Sequence, residues 1–134
     1  IPSVSYNLRH GGSVLIDRKD SKQALREIIK LGKYIETHIR SAVIFPEGTR
    51  SRDGHPKPFK AIGLKLLIKN APAALIVPIS IDNSWKMLKW GKFPNGLGNR
   101  ITITVHKPIE PNKNTSDIIS QVEQVVISGL TSFK

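Results

Sequence analysis

Phe45-Pro46-Glu47-Gly48-Thr49-Arg50-Ser51-Arg52-Asp53-Gly54 places four charged side chains, two glycines and a proline in ten consecutive positions. The three residues before it, Ala42-Val43-Ile44, form a short apolar run rich in β-branching, which reads as a buried strand. Pro46 has no N–H to give to a ladder, so the strand is expected to stop there. Glycines let the backbone turn tightly and approach a ligand closely. The two arginines present planar forks of donors that match a phosphate or a carboxylate. In isolation such a segment is a solvated turn whose charges pair with one another. What lies on either side gives it a different meaning.

Upstream, Ser13-Val14-Leu15-Ile16 reads as a second buried strand, ending in Asp17-Arg18. Asp20 or Ser21 is placed to cap a helix over about 21–39, with Leu25, Ile28, Ile29, Ile35 and Ile39 near helical spacing and Gly32 as a weak point. Strand, amphipathic helix, strand is a βαβ unit, which implies parallel pairing and a right-handed crossover. Both strands then end on one edge of the sheet, and both end in charge. In open α/β sheets ligands bind at that edge, so Arg18, Arg50 and Arg52 are expected to converge on one crevice.

Downstream, Phe59 to Lys69 reads as a helix with Phe59, Ile62, Leu66 and Leu67 on one side, closed by Asn70 and Pro72. Ala73 to Ile81 reads as a third strand, buried on both faces, with Pro78 marking a bulge or an edge, and with Asp82-Asn83 at its end. Residues 84–99 combine Trp85 and Trp90 with Lys86, Lys89 and Lys92, a pattern suited equally to an anionic lipid surface and to a basic solvated loop with one tryptophan in the core. Residues 101–105 alternate as a half-exposed strand, and Thr115 or Ser116 caps a last helix with Ile118, Ile119, Val122, Val125 and Val126 on its apolar stripe. The expectation is an α/β fold, a central and largely parallel sheet with flanking helices, as a single domain over 1–134.

Composition narrows the function. A chain of 134 residues with 39% apolar residues folds as one domain rather than remaining disordered. The absence of cysteine excludes disulfides and thiolate metal sites, and His10, His38, His55 and His106 lack a metal-ligand spacing, so neither a metal nor another cofactor is expected. A net charge of +11 favours an anionic partner: a phosphorylated substrate, an anionic membrane surface or nucleic acid. Aromatic residues make up only 6% and none interleaves a basic run, so no platform for stacking bases is evident and nucleic acid is not expected. The longest apolar stretch, Ala71 to Ile81, is broken by Pro72 and Pro78 and falls short of the roughly 20 residues of a spanning helix.

Gly12-Ser13-Val14-Leu15-Ile16-Asp17-Arg18, Phe45 to Ser51, and Val77-Pro78-Ile79-Ser80-Ile81 together resemble the glycerophospholipid acyltransferases, and among them the 1-acylglycerol-3-phosphate acyltransferases. That family carries four blocks in order: His-x-x-x-x-Asp, a Gly-x-x-Phe-Ile-Asp-Arg-like block, Phe-Pro-Glu-Gly-Thr-Arg-Ser, and an apolar strand with a Val-Pro pair. The second is matched here with Leu15 in the Phe position, the third without departure, and the fourth at Val77-Pro78. Phe59-Lys60-x-x-Gly63 also fits, and the similarity extends over roughly residues 1–85. The resemblance implies that Arg18, Glu47, Gly48, Thr49 and Arg50 hold the phosphate of lysophosphatidate or glycerol 3-phosphate. It implies an acyl-CoA or acyl carrier protein as donor, and a membrane-associated enzyme at the cytoplasmic face. Glu47 would repel a phosphate, so its expected part is to position an arginine or to receive a glycerol hydroxyl.

The first block is missing. Five residues beyond the four histidines stand Leu15, Val43, Lys60 and Pro111, none of them an aspartate. In the family the histidine is the general base that takes the hydroxyl proton, with the aspartate orienting it. The dyad is therefore expected upstream of Ile1, and the isolated chain is expected to be inactive, with no catalytic residue of its own. The competing reading is a non-catalytic basic module that binds anionic lipid or nucleic acid. A basic stripe would serve that purpose without a Glu-Gly-Thr-Arg at a strand end.

Overall fold

The computed structural model describes residues 20–49, 51–88, 98–111 and 114–131. Three helices carry the described fold: α1 (Ser21–His38), α2 (Ala61–Asn70) and α3 (Thr115–Ser128). Two short strands, β1 (Ile79–Asp82) and β2 (Thr102–Val105), pair antiparallel, with Ile79 opposite Val105 and Ile81 opposite Ile103. A 3₁₀ turn, Ser84–Leu88, follows β1. The strand expected at residues 13–16 lies outside the described residues. The buried strand expected at 42–45 is described and does not form: its backbone pairs with no described strand, and Ala42, Val43 and Phe45 are exposed. The described residues therefore show no parallel pairing.

Helix α1 begins where its capping chemistry puts it: the Asp20 carboxylate accepts from the Gln23 N–H at 2.9 Å. It runs unbroken through Gly32. That glycine is a crossing point rather than a weak point, since a Cβ there would come within 2.7 Å of Asn70 Cβ on α2. Ile39, expected on the apolar stripe, instead ends the helix in the left-handed region at φ 50° and is 94% exposed. Helix α3 is capped by Asn114 rather than by Thr115 or Ser116; its side chain accepts from the Ser116 N–H.

The core forms where α2 meets α3. Leu64 and Ile68 are buried against Ile118, Ile119 and Val122, and Ile44, Phe59, Ile76, Ile109 and Val126 pack around them. Ile44 turns inward while Val43 and Phe45 are exposed, an alternation that fits extended backbone before the turn at Pro46.

The third strand differs from its expected form. Ladder pairing begins only at Ile79, with an isolated bridge between Ile76 and Ile109 before it. Pro78 interrupts the ladder as a donor but its carbonyl accepts from the His106 N–H at 3.0 Å. Burial alternates instead of covering both faces: Pro78, Ser80 and Asp82 are buried, whereas Val77, Ile79 and Ile81 are exposed. With Ile103 and Val105 across the ladder they form one exposed apolar face.

Hydrogen bonds hold the buried face to Val126 of α3 and to Thr131 just beyond it. The Ser80 hydroxyl donates to the Val126 carbonyl at 2.7 Å and lies 2.7 Å from His106 Nε2. Asp82 accepts from the Thr131 N–H at 3.0 Å, and the Thr131 hydroxyl donates to the same carboxylate. The charged end of this strand is thus turned inward to hold the segment after α3.

Candidate active site: the turn at Pro46

Phe45 to Gly48 form a β-turn closed by the Gly48 N–H donating to the Phe45 carbonyl at 3.0 Å. Pro46 occupies the second position, where its fixed φ is already right. Gly48 sits at φ +69°, a conformation open to glycine and strained for other residues. The turn is then braced from its far side. Glu47 Oε2 accepts from the Lys57 N–H at 3.0 Å, and the Pro46 carbonyl accepts from the Lys60 N–H at 2.8 Å. A third brace comes from α3, where Glu123 Oε1 accepts from the Phe59 N–H at 3.0 Å.

The outer part of the loop is a small hydrogen-bonded unit of its own. Ser51 Oγ donates to Asp53 Oδ1 at 3.1 Å and accepts from the Gly54 N–H at 2.8 Å. Asp53 Oδ1 also accepts from the His55 N–H at 3.1 Å. These hydrogen bonds, the one from the His55 N–H foremost, hold the Asp53 carboxyl below its ordinary value of 3.8. Gly54, at φ +90°, lies directly against the indole of Trp85.

Of the residues expected to bind phosphate, Glu47, Gly48 and Thr49 stand together in this turn, while Arg18 and Arg50 lie outside the described residues. Glu47 is engaged with the Lys57 main chain, a looser part than receiving a ligand hydroxyl and one that shapes the loop. Arg52 is exposed. Trp85, for which the sequence left open a lipid contact or a place inside the fold, is half-buried beneath Gly54 with the Lys86 ammonium 5.8 Å from its ring centre. Trp90, Lys89, Lys92 and His10 lie outside the described residues.

Sequence reasoning missed two contributors. Glu123 is one helix position among many polar ones, and nothing in its neighbourhood signals an acceptor for Phe59, 64 residues away. Lys60 gave a faint signal in the Phe59-Lys60-x-x-Gly63 pattern, but its closeness to Gly48 depends on the loop folding back. Among the described residues no group of three or more His, Asp or Glu is placed to hold a metal ion, and no helix is long and apolar enough to cross a membrane.

The turn carries Phe45-Pro46-Glu47-Gly48-Thr49, the block through which the sequence resembles the acyltransferases. A model of the family described as "Acyltransferase" matches residues 1–82, and the chain belongs to that family. The chain is 28% identical over 130 residues to a 1-acyl-sn-glycerol-3-phosphate acyltransferase of Chlamydomonas reinhardtii, covering 97% of this chain and 38% of the relative. It is 39% identical over 89 residues to the enzyme of that name from Helicobacter pylori, covering 63% of this chain and 37% of the relative. Among solved structures it is similar to the 1-acyl-sn-glycerophosphate acyltransferase PlsC of Thermotoga maritima. That match has a TM-score of 0.69 at 25% identity, over 98% of this chain and 51% of the other. The chain thus spans about half or less of these relatives' length. The basic-module reading offers no account of the family match.

Proposed function

We propose that this chain supplies the acceptor-binding part of an enzyme that acylates a glycerol phosphate, lysophosphatidate above all, in phospholipid synthesis. The observation that carries the reading is the Glu47-Gly48-Thr49 turn, held open at Gly48 and braced through Pro46, Lys57 and Lys60, in a chain of the acyltransferase family. On this reading Arg18 and Arg50 bind the phosphate as bidentate forks, and the turn sets their register. In the full reaction the acceptor hydroxyl attacks the thioester carbonyl of acyl-CoA or an acyl carrier protein. A C–O bond forms, the C–S bond breaks, and the hydroxyl proton passes through a base to the departing thiol.

The base is the part that this sequence does not provide. His38 is stacked on Tyr34 of α1, ring centres 4.4 Å apart, and His106 is hydrogen-bonded to Ser80 beside α3. Neither stands at the turn. His55 is in the loop, yet no aspartate follows it at the family's spacing to hold its tautomer. The net charge of +11 suits attachment to an anionic membrane surface on the cytoplasmic side, where such an acceptor resides.

Two measurements on the purified chain test the proposal together. Glycerol 3-phosphate is expected to bind, and Arg50→Ala to weaken it roughly tenfold, as loss of a charge-assisted contact would. With an acyl thioester and lysophosphatidate, no thiol release above background is expected. Absence of binding rejects the acceptor role. Turnover abolished by His55→Ala rejects the view that the chain lacks its base.

A further inference from the structure

Lys60 is tied to the acceptor turn twice. Its main-chain N–H donates to the Pro46 carbonyl, which fixes the residue at the start of α2 directly behind the turn. Its side chain then folds back across the turn. A Cβ built on Gly48 would stand 3.1 Å from each of Lys60 Cδ, Cε and Nζ, so the end of the lysine lies against the open face that the glycine leaves. The left-handed φ of Gly48 is what calls for glycine at this position, and the Lys60 chain end occupies the space beside it.

The ammonium at the end of this chain is uncommitted. Among the described residues the only hydrogen bond of Lys60 is made by its main chain. Glu47 and Asp53, the two carboxylates of the loop, are engaged by the Lys57 and His55 N–H groups instead. Lys60 is exposed, so its charge is available to a ligand resting on Gly48 and Thr49. An ammonium is a compact point charge with three donors, suited to a phosphate oxygen approached from any side.

We propose that the Lys60 ammonium is a further phosphate contact of the acceptor site, selecting acceptors that end in a phosphomonoester. This rests on the acceptor-binding role argued above. The contact is to the phosphate group itself, which glycerol 3-phosphate and inorganic phosphate share.

Calorimetric titration of the chain with glycerol 3-phosphate, inorganic phosphate and glycerol tests it. Lys60→Met is expected to raise Kd about tenfold for both phosphates, and Lys60→Arg to restore it to within about threefold. Glycerol is expected to bind neither the parent chain nor the variants. A Kd unchanged in Lys60→Met while Arg50→Ala raises it overturns the lysine contact and leaves the acceptor role standing. A Kd unchanged in both variants, or no binding by the parent chain, overturns the two together. A loss confined to glycerol 3-phosphate, or one that follows a lowered melting temperature and is not restored by arginine, assigns Lys60 another part and overturns the contact.

Discussion

Gly54 and Trp85 are in direct contact, so that a Cβ on the glycine would lie 2.6 Å from the indole Nε1 and 2.9 Å from Cε2. A rigid ring cannot yield to a methyl group as a flexible chain end would. Gly54 also has φ +90°, which side-chain-bearing residues rarely adopt. Gly54→Ala is therefore expected to destabilise the chain by about 1–3 kcal/mol through strain and overpacking combined. Urea unfolding measures it. Because part of the cost is the ring, the double variant Gly54→Ala/Trp85→Ala should be less unstable than the sum of the two singles. Strict additivity would show that the contact is not made.

The Ser80–His106 pair looks like a nucleophile and its base, and the geometry assigns it otherwise. Ser80 is fully buried, and its one hydroxyl proton is directed to the Val126 carbonyl. His106 Nε2 must then donate to the serine oxygen, which is the reverse of activation. A Cβ on Gly129 would come within 2.4 Å of Ser80 Oγ, so the three residues form a closely packed joint between the strands and α3. Ser80→Ala is expected to lower stability by about 1–3 kcal/mol, leaving two polar partners unsatisfied. Glycerol 3-phosphate binding at a concentration of folded protein should be unchanged. Loss of binding without loss of stability would contradict the structural role.

Helices α1 and α3 were legible because their signals are local, whereas on α2 the expected Ile62 is exposed and Leu64 and Ile68 are buried instead. Asp20 caps α1 within three residues, and the stripe of Ile118, Ile119 and Val122 identifies the buried side of α3. The acceptor turn was legible for the same reason, since Pro46 and Gly48 dictate its shape one residue at a time. What escaped was long-range. Whether Val77, Ile79 and Ile81 are covered depends on what packs on them, and a continuous apolar run looks the same with one face buried as with two. Glu123, Trp85 and Lys60 take their parts only after α3, the 3₁₀ turn and α2 have been folded against the loop. The role of Asp82 is long-range too, since its carboxylate captures Thr131, 49 residues on.

Asp53 gives the loop a sensitivity to acid whose direction is fixed. Its carboxyl is held below the ordinary value of 3.8, first by the His55 N–H and then by the Ser51 hydroxyl. A depressed folded pKa adds stability that is complete above the ordinary value and is lost as pH falls through the folded one. The Ser51-to-His55 unit should thus be intact at pH 5 and loosen only at a pH below about 3.8. Carbon-13 titration of the Asp53 carboxyl should give a midpoint under that value, and Ser51→Ala should move it upward. A midpoint above 3.8 would mean that these hydrogen bonds do not form in solution.

Glu47 poses the sharpest test of how the turn works, because its charge and its hydrogen bond make opposite demands. A carboxylate beside a bound phosphate repels it, yet Glu47 Oε2 is the acceptor that ties the Lys57 N–H back to the turn. If shaping the loop is its main part, a neutral side chain that still accepts should serve. Glu47→Gln keeps an amide oxygen at the same reach and is expected to bind glycerol 3-phosphate within about threefold of the parent chain. Glu47→Ala removes the acceptor, frees the segment carrying Lys57 to Lys60, and is expected to weaken binding about fivefold to tenfold, near the 1 kcal/mol typical of one hydrogen bond. Amide exchange at Lys57 separates the two causes, since it should quicken in the alanine variant and stay slow in the glutamine variant. Weak binding by glutamine with Lys57 still protected would move Glu47 from the loop to the ligand. The carboxylate would then be the group that receives the acceptor's hydroxyl.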